Sequence, residues 1–348
     1  MHTPNESPSH KPLKVLVIGA GIAGLSAAIA LGKQGHEVVI LEKSQFAKET
    51  GAAIHLPPNC TALLKWMDVD PTTFGGTLLR EIHRYDSKGD LIFRNDFSDV
   101  RGKWQASVFR EHVSPSTPAP HPTGKSCVRW LFPMDKLKFF DSKKDPGVFL
   151  EWAAEDRRVV AYPCANNTIF NLCAFMPSSE AAVPEKGDWQ ASTETETLVN
   201  AFKNFSEGVQ EIILQAKDAK CWGLYDMGDL TTWSKGCAAL LGDAAHPFQP
   251  YMGQGGAMAI EDAVCIATLL SSGTTVEKVS SRLKLYERAR RPRVEEVLRY
   301  TRMNGRDEND ESKGARMSPS DMVHFMNVLF SHNEIEHCSK LLAAESST

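Results

Sequence analysis

The sequence has little net charge and no cysteine pattern typical of a metal site. Its 39 Lys and Arg against 43 Asp and Glu leave a formal charge of −4, so no electrostatic feature predicts a nucleic-acid partner. The eight cysteines form no CxxC pair and no zinc-ligand spacing. We therefore expect no metal, and reduced thiols in a cytoplasmic protein. The remaining composition, 42% hydrophobic and 24% charged, is that of an ordinary globular protein.

No apolar run is long and uninterrupted enough to predict a transmembrane helix. The most apolar stretch, residues 13–31, contains Lys14 and four Gly or Ser residues. A buried parallel strand followed by a helix explains this stretch better than a membrane span does. The first ten residues are polar and lack the apolar core of a signal peptide. Residues 1–12 are therefore expected to be disordered.

A dinucleotide-binding pattern stands near the N-terminus. A Val- and Ile-rich run at residues 14–18 predicts a buried strand, and Gly19, Gly21 and Gly24 then lead into a helical segment. Such glycines allow a tight turn, close approach of a pyrophosphate and close helix–strand packing. A second strand-like run ends at Glu42, whose carboxylate is placed to accept the adenosine-ribose hydroxyls. The pattern predicts a dinucleotide but does not separate FAD from NAD.

A second pattern, some two hundred residues later, favours FAD. Residues 237–242 predict another buried strand, and Asp243 at its end is placed to bind a sugar-like hydroxyl, here the ribityl chain. Gly253, Gly255 and Gly256 then open a helix. The N-terminus of that helix would stabilise negative charge on a reduced flavin ring. An NAD dehydrogenase has no use for this second helix end.

Together these segments resemble the single-component FAD-dependent aromatic hydroxylases, the salicylate-hydroxylase-like monooxygenases, over roughly residues 13–305. Residues 51–59 are similar to that family's flavin-contacting segment, which implies roles for Gly51 and Ala53, and residues 286–293 are similar to its following helix. The resemblance implies FAD as cofactor, NADPH or NADH as transient reductant, O2 as co-substrate and an aromatic small molecule as substrate. No metal is implied.

The implied fold class is α/β: a Rossmann-like FAD-binding domain with a parallel sheet, and a substrate domain with an antiparallel sheet. We expect the first part of the FAD-binding domain at 13–113, the substrate domain at 114–232, the second part of the FAD-binding domain at 233–305 and a helical tail at 306–348. Four short strand-like runs support the antiparallel sheet. They are residues 126–132, 148–152, 158–162 and 169–175.

Two side chains within those runs are candidates for binding the substrate. Residues 124–129 and 160–163 match the segments with which related fungal polyketide hydroxylases hold a substrate phenolate, which implies catalytic roles for Arg129 and Tyr162. A guanidinium and a phenol hydroxyl both favour the phenolate form. The alternative is that Arg129 forms a structural ion pair and Tyr162 packs beneath it.

The middle of the sequence departs from the family pattern. The family's HR-x-DL helix, whose Arg contacts the flavin, and its GADG segment near the pyrophosphate are both absent. Residues 103–106 resemble the approach to the first element and residues 107–110 the tail of the second. This predicts that several tens of residues are missing at the Ala106–Ser107 junction. The alternative is an unusual branch with a shorter connection.

Three functional interpretations follow. The first is hydroxylation of a phenolic or polyketide-derived aromatic compound, in secondary metabolism. The second is a same-fold flavoprotein that catalyses epoxidation or oxidative decarboxylation. The third is a truncated, non-catalytic remnant that binds FAD poorly. His246, although near Asp243, is expected to be structural, and Cys237 and Cys265 are expected to be inert core thiols.

Overall fold

The computed structural model describes residues 11–43, 53–97, 107–110, 121–137, 146–181, 193–307 and 317–346. The strands in these ranges are β1 (Lys14–Ile18), β2 (Glu37–Leu41), β3 (Ala53–Leu56), β4 (Glu81–Asp86), β5 (Leu91–Asp96), β6 (Ser107–Arg110), β7 (His121–Pro133), β8 (Val148–Ala153), β9 (Arg158–Cys164), β10 (Ile169–Pro177), β11 (Lys220–Asp226), β12 (Ser234–Lys235) and β13 (Ala238–Ala239). The α-helices are α1 (Ile22–Lys33), α2 (Pro58–Trp66), α3 (Thr195–Ala201), α4 (Glu207–Ile213), α5 (Gly255–Leu269), α6 (Val276–Asn304), α7 (Pro319–Phe330) and α8 (Glu334–Ser346).

The first strand–helix–strand unit folds as the glycine pattern predicts. β1 and β2 pair in parallel, from Lys14 opposite Glu37 to Ile18 opposite Leu41, with α1 as the crossover. Gly24 can only be glycine, because a Cβ there would lie 2.0 Å from the carbonyl oxygen of Gly19. The motif therefore sets how closely α1 packs on β1.

A seven-stranded sheet forms the second structural unit, in the order β11-β7-β10-β9-β8-β4-β5. The four expected strand-like runs lie in β7, β8, β9 and β10, which pair antiparallel, so that part of the prediction is confirmed. β4 and β5 fall within the expected first FAD-binding part, yet they complete this sheet. The reason is a parallel pairing of β4 with β8, from Glu81 opposite Val148 to Asp86 opposite Ala153.

The two faces of this sheet have different surroundings. One face packs against α3 and α4 through fully buried side chains such as Leu198, Phe202 and Ile212. The opposite face borders a cavity and carries the candidate substrate-binding residues. The sheet is therefore stabilised by the apolar side chains buried on one of its faces, and the other face is available for a ligand.

Helix α5 is the centre of the remaining structure. All its residues from Ala257 to Leu269 are buried, among α1, α2, α6 and α8. A helix that is apolar nearly all round must be enclosed by other elements. α5 begins at the glycines of the second motif, so this enclosure fixes the position of its N-terminus. None of the described helices combines the length and apolarity needed to cross a membrane.

Two segments that the sequence predicts as buried strands are instead open on one side: Ile18 of β1 is 81% exposed and Leu240 of the 237–242 segment 42%. Only Ala238–Ala239 of the second segment forms a strand. Val39 of β2 is 58% exposed as well. The same openness corrects the prediction for Cys237, whose thiol is exposed. The cause is the lack of a neighbour: among the described strands, β1 pairs only with β2. The residues have the composition of central strands without the neighbours that would cover them.

Candidate active site

One cavity of about 1950 Å³ links the two structural units. Its wall includes the first glycine turn, the segment before α5 and the open face of the seven-stranded sheet. Small-molecule sites commonly enclose about 300–1,000 Å³. The volume is therefore ample for a dinucleotide with an aromatic substrate beside it.

The end of the cavity at the first glycine motif fits a pyrophosphate. Gly19 has φ +100°, a conformation that favours glycine, and a Cβ at Gly21 would meet no atom within 4 Å, so the backbone is open to a ligand. Gly21 is also the N-cap of α1, and no side chain caps this helix end. The uncapped N–H groups and the helix dipole together suit a phosphate group.

Glu42 lies at the same turn. Its Oε2 accepts a hydrogen bond from the backbone N–H of Ala20 at 2.7 Å. This contact holds the carboxylate beside the glycine motif, 22 residues away in sequence. The location is compatible with the predicted ribose contact.

The second motif lies at another wall of the cavity. Asp243, in the 3-10 turn Gly242–Ala244, lines the cavity and has no hydrogen-bond partner among the described residues. Burial raises the pKa of its carboxyl group, while His246 opposes that effect. A ligand hydroxyl would satisfy this half-buried acceptor.

The glycines before α5 allow a close approach to the helix N-terminus. Gly253 has φ +60° and its Cβ position would lie 3.1 Å from Cβ of His55. No side chain caps α5, whose N-cap is Gln254. Gly255 and Gly256 line the cavity in the first turn. Of the other predicted contacts, Gly51 lies outside the described residues and Ala53 begins β3. The described residues fit an FAD molecule stretched from one helix N-terminus to the other.

Arg129 and Tyr162 lie on the same face of the sheet, on the two strands that flank β10. Arg129 is directly opposite Cys173, and Tyr162 directly opposite Asn171. Residues two apart on a strand share a face, so these four side chains form one patch. The Arg129 guanidinium lies 5.3 Å from the Trp222 ring.

The environment of Arg129 argues against a structural ion pair. No carboxylate of the described residues lies within salt-bridge distance of its guanidinium, and its Nε donates to Sγ of Cys173 at 3.4 Å. Burial lowers the pKa of Arg129, but Cys173 and Tyr162 raise it more, so the guanidinium stays charged. Burial raises the pKa of Tyr162, which keeps its hydroxyl protonated although Arg129 opposes this shift. The patch therefore offers one cation and one neutral donor to a ligand oxygen.

His246 has the structural role that the sequence suggests. Its Nε2 is 2.6 Å from Oδ2 of buried Asp262, and the same oxygen accepts from the backbone N–H of Gly242. Asp262 thereby positions the turn that carries Asp243. Cys265 is fully buried, as expected.

The sequence interpretation missed a buried ionic network behind α5. Arg290 is fully buried and donates to Glu261, Asp262 and Glu334 at 2.6–2.8 Å. Glu261 also accepts two hydrogen bonds from Arg293, each 2.7 Å long. The sequence shows the Arg-rich segment 286–293, but no pattern in it indicates that Glu334 in the C-terminal tail is the partner of Arg290.

Comparison with known proteins supports the FAD-binding fold and the cofactor. The FAD binding domain family matches residues 134–301, and the FAD dependent oxidoreductase family matches residues 14–55. An FAD-dependent monooxygenase of Aspergillus candidus is 27% identical over 360 residues, covering 81% of this chain and 83% of the relative. Hispidin-3-hydroxylase of Neonothopanus nambi is 28% identical over 370 residues, covering 82% and 86%. A solved salicylate hydroxylase substrate complex has a TM-score of 0.75 at 20% identity, covering 96% of this chain and 98% of the other.

The fold and the two matching families define an FAD-dependent oxidoreductase. With the curated relatives, the comparisons support the FAD-dependent aromatic monooxygenases as the class that this chain resembles. FAD is its cofactor, and NAD(P)H is the reductant typical of the class. The predicted family, fold class and cofactor are thus confirmed.

Proposed function

We propose that the protein hydroxylates a phenolic or polyketide-derived aromatic small molecule, with the substrate oxygen held by Arg129 and Tyr162. The observation that carries this proposal is a half-buried guanidinium without a carboxylate partner among the described residues, beside a protonated phenol, on the cavity wall. The names of relatives agree with a phenolic substrate: one acts on hispidin and another on 3-hydroxybenzoate.

The cofactor and the protein have different roles in the proposed reaction. Bound FAD would supply the oxidative chemistry, after reduction by NAD(P)H and with O2 as the oxygen source. The protein binds the cofactor at two helix N-termini, orients the aromatic ring and keeps its oxygen ionised beside Arg129. An ionised phenol is richer in electrons at the ortho and para carbons, which favours attack by an electrophilic oxygen. Product analysis by mass spectrometry distinguishes hydroxylation from epoxidation or oxidative decarboxylation.

The domain bounds are part of the proposal. We assign 13–113 and 233–305 to FAD binding and 114–232 to the substrate, with the exception that β4 and β5 pair with the substrate sheet. The cavity lies where these parts meet.

Glu42→Ala and Asp243→Ala should each weaken FAD binding. A hydrogen bond to a charged acceptor contributes about 1.5–3 kcal/mol, so each dissociation constant should rise about tenfold or more. The measurement is fluorescence titration of the apoprotein with FAD. Glu37→Ala is the matched control, because Glu37 lies on β2, which ends just before Glu42, pairs with Lys14 at the surface and does not line the cavity. Unchanged affinity in both test variants would contradict the assignment.

Arg129→Ala should lower hydroxylation while FAD content and slow NAD(P)H oxidation persist. Loss of the cation removes a charge-assisted contact of about 1.5–3 kcal/mol to the phenolate, which lowers kcat/KM about ten- to a hundred-fold in a preparation competent for turnover. Arg94→Ala is the control, since Arg94 lies on an outer strand of the same sheet, pairs with Glu81 and does not line the cavity. If Arg129→Ala loses FAD together with activity, the role of Arg129 is structural and not substrate binding.

A non-catalytic remnant is the second candidate, and a specific observation favours it. The alignment with the Aspergillus candidus relative runs over 360 positions, but 81% of 348 residues is only about 282, so about 78 positions have no residue of this chain. The open sides of β1 and residues 237–241 face the same cavity. Both observations fit the absence of strands that would lie between them.

A further inference from the structure

Cys173 occupies the centre of the patch that is proposed to bind the substrate oxygen. It lies on β10, directly opposite Arg129 of β7 and two residues from Asn171, which faces Tyr162 of β9. Its side chain lines the cavity. A ligand oxygen placed between Arg129 and Tyr162 therefore reaches Cys173 as well, because the strand that carries this thiol lies between the other two.

The donors around the sulfur are arranged as they would be around an anion. Arg129 Nε donates to Sγ at 3.4 Å and the side-chain amide of Asn171 donates to it at 3.5 Å. Cys127 lies two residues from Arg129 on the same face of β7. Two donors, one of them a cation, converge on one sulfur, and a thiolate can accept from both.

The surrounding charges also favour the thiolate form of Cys173. The Cys127 hydrogen bond, opposed by burial and assisted by Arg129, lowers the pKa of Cys173 to about 6. Burial, and then the Cys173 hydrogen bond, raises the pKa of Cys127, which keeps the donor protonated. Other titratable or charged groups packed on this patch are Tyr162 of β9, Tyr251 before α5, and Arg158 of β9, whose guanidinium lies 5.3 Å from the Tyr251 ring. Arg129 is the cation that contacts Cys173, so a thiolate there balances its charge.

We propose that Cys173 is the base that takes the phenol proton when the substrate oxygen docks against Arg129 and Tyr162. This inference rests on the proposed function. The substrate O–H bond breaks and an S–H bond forms; the Arg129 guanidinium then faces the phenolate instead of the thiolate, and no electrons are exchanged. On release of the bound phenol, the S–H bond breaks and the proton returns to the phenolate oxygen, so the ligand leaves neutral and the thiolate is restored. A base within the site is needed because bound flavin and substrate exclude bulk water from the patch.

Proton transfer from the phenol to Cys173 requires the pKa values of the two groups to lie close together. A phenol starts near pKa 10 and an adjacent Arg lowers it by about 1–3 units. Once the guanidinium faces the phenolate, the thiol loses that part of its stabilisation and its pKa rises. The proton affinities of the two groups then approach each other, which favours efficient proton exchange.

The first test needs no substrate and no turnover. The pH dependence of iodoacetamide alkylation, followed by peptide mass spectrometry, should place the midpoint for Cys173 at least about one pH unit below that of exposed Cys237 in the same digest. Arg129→Met should raise the Cys173 midpoint. A Cys173 midpoint equal to or above that of Cys237, or one that Arg129→Met leaves unchanged, overturns the proposal.

The second test counts protons when resorcinol, a simple neutral phenol, binds at pH 7. Calorimetric titration in two buffers of different ionisation enthalpy should show no net proton release from the wild type, with an ultraviolet difference spectrum of a bound phenolate. Cys173→Ser should either release about one proton per bound phenol or bind resorcinol un-ionised. Cys221→Ser, a buried thiol facing the opposite side of the sheet, should behave as the wild type.

The outcomes separate the two proposals. If resorcinol binds as phenolate with the same proton count in wild type and Cys173→Ser, then Cys173 is not the base, and the proposed function stands. If wild type and all variants fail to bind any phenol, the proposed function fails and the role of Cys173 fails with it. The alkylation midpoints show separately whether the thiolate exists.

Discussion

Arg290→Met should remove a large share of the stability of the fold. The guanidinium is fully buried and contacts Glu261, Asp262 and Glu334, which come from α5 and the start of α8. Breaking a buried ion pair by removing one partner costs about 3–5 kcal/mol, because the remaining charge stays buried without compensation. The total stability of a domain is only about 5–15 kcal/mol. We therefore expect Arg290→Met to unfold at much lower urea concentration, or to be recovered only as aggregate.

The effect should reach the flavin site as well. Asp262 links Arg290 to His246 and to the backbone N–H of Gly242, and so to the turn that presents Asp243. Any fraction of Arg290→Met that remains folded should therefore bind FAD more weakly than wild type.

Arg288→Met provides a matched control on the same helix. Its side chain is 69% exposed and its nearest carboxylate, on Glu345, is 3.4 Å away at the surface. Exposed pairs of this kind contribute about 0–1 kcal/mol. Urea unfolding followed by tryptophan fluorescence and circular dichroism compares the two variants. Equal midpoints for both would show that the Arg290 network does not hold α5, α6 and α8 together.

Local patterns were enough to locate the flavin-binding elements. The glycine spacing predicted β1, α1 and β2, because each step depends on neighbouring residues: a tight turn at Gly19 and close packing at Gly24. Strand alternation placed Arg129 and Tyr162 in a sheet. The predicted roles of these residues remain proposals, since position in a cavity does not by itself establish a contact with cofactor or substrate.

Contacts between distant segments were not predictable in the same way. The partner of Arg290 in α8 lies 44 residues away, and Glu151 meets Arg84 across 67 residues through the parallel pairing of β4 with β8. Cys173 reached the site because β10 lies between β7 and β9, an order that no periodicity encodes. The prediction that β1 and residues 237–242 are buried was wrong for a related reason. The burial of a strand depends on the strands beside it and not on its own apolar composition.

Restoring the segment predicted to be missing at Ala106–Ser107 should change the protein more than any point substitution. One wall of the large cavity is residues 13–18 and another is residues 237–241, both apolar and both without a neighbour on that side among the described strands. Ser107 begins β6, which pairs with β3, while Ala106 lies outside the described residues. Strands of the relatives that fill the space between these two walls would explain both the large cavity and the roughly 78 alignment positions that have no residue of this chain.

Without that segment, the chain of 348 residues should be poorly soluble, colourless or both, and should not hydroxylate phenols, so the activity proposed above would belong to the completed form. Unpaired strand edges with apolar faces promote association between chains, and lost strands can remove more than the marginal stability of about 5–15 kcal/mol. A form completed with the intervening coding sequence of the genomic locus should be soluble and yellow, with substrate-stimulated NAD(P)H oxidation.

The test is to express both forms side by side and to measure bound FAD by absorbance and turnover by oxygen uptake. A completed form carrying Asp243→Ala is the control, because it restores the sheet but lacks one proposed cofactor contact. It should be soluble yet low in FAD, which separates the effect of the strands on folding from that on cofactor binding. Stoichiometric FAD and equal turnover in the 348-residue form would contradict the prediction. The short connection would then be a genuine variant of the fold, and the open sides of β1 and 237–241 would be stable without a covering strand.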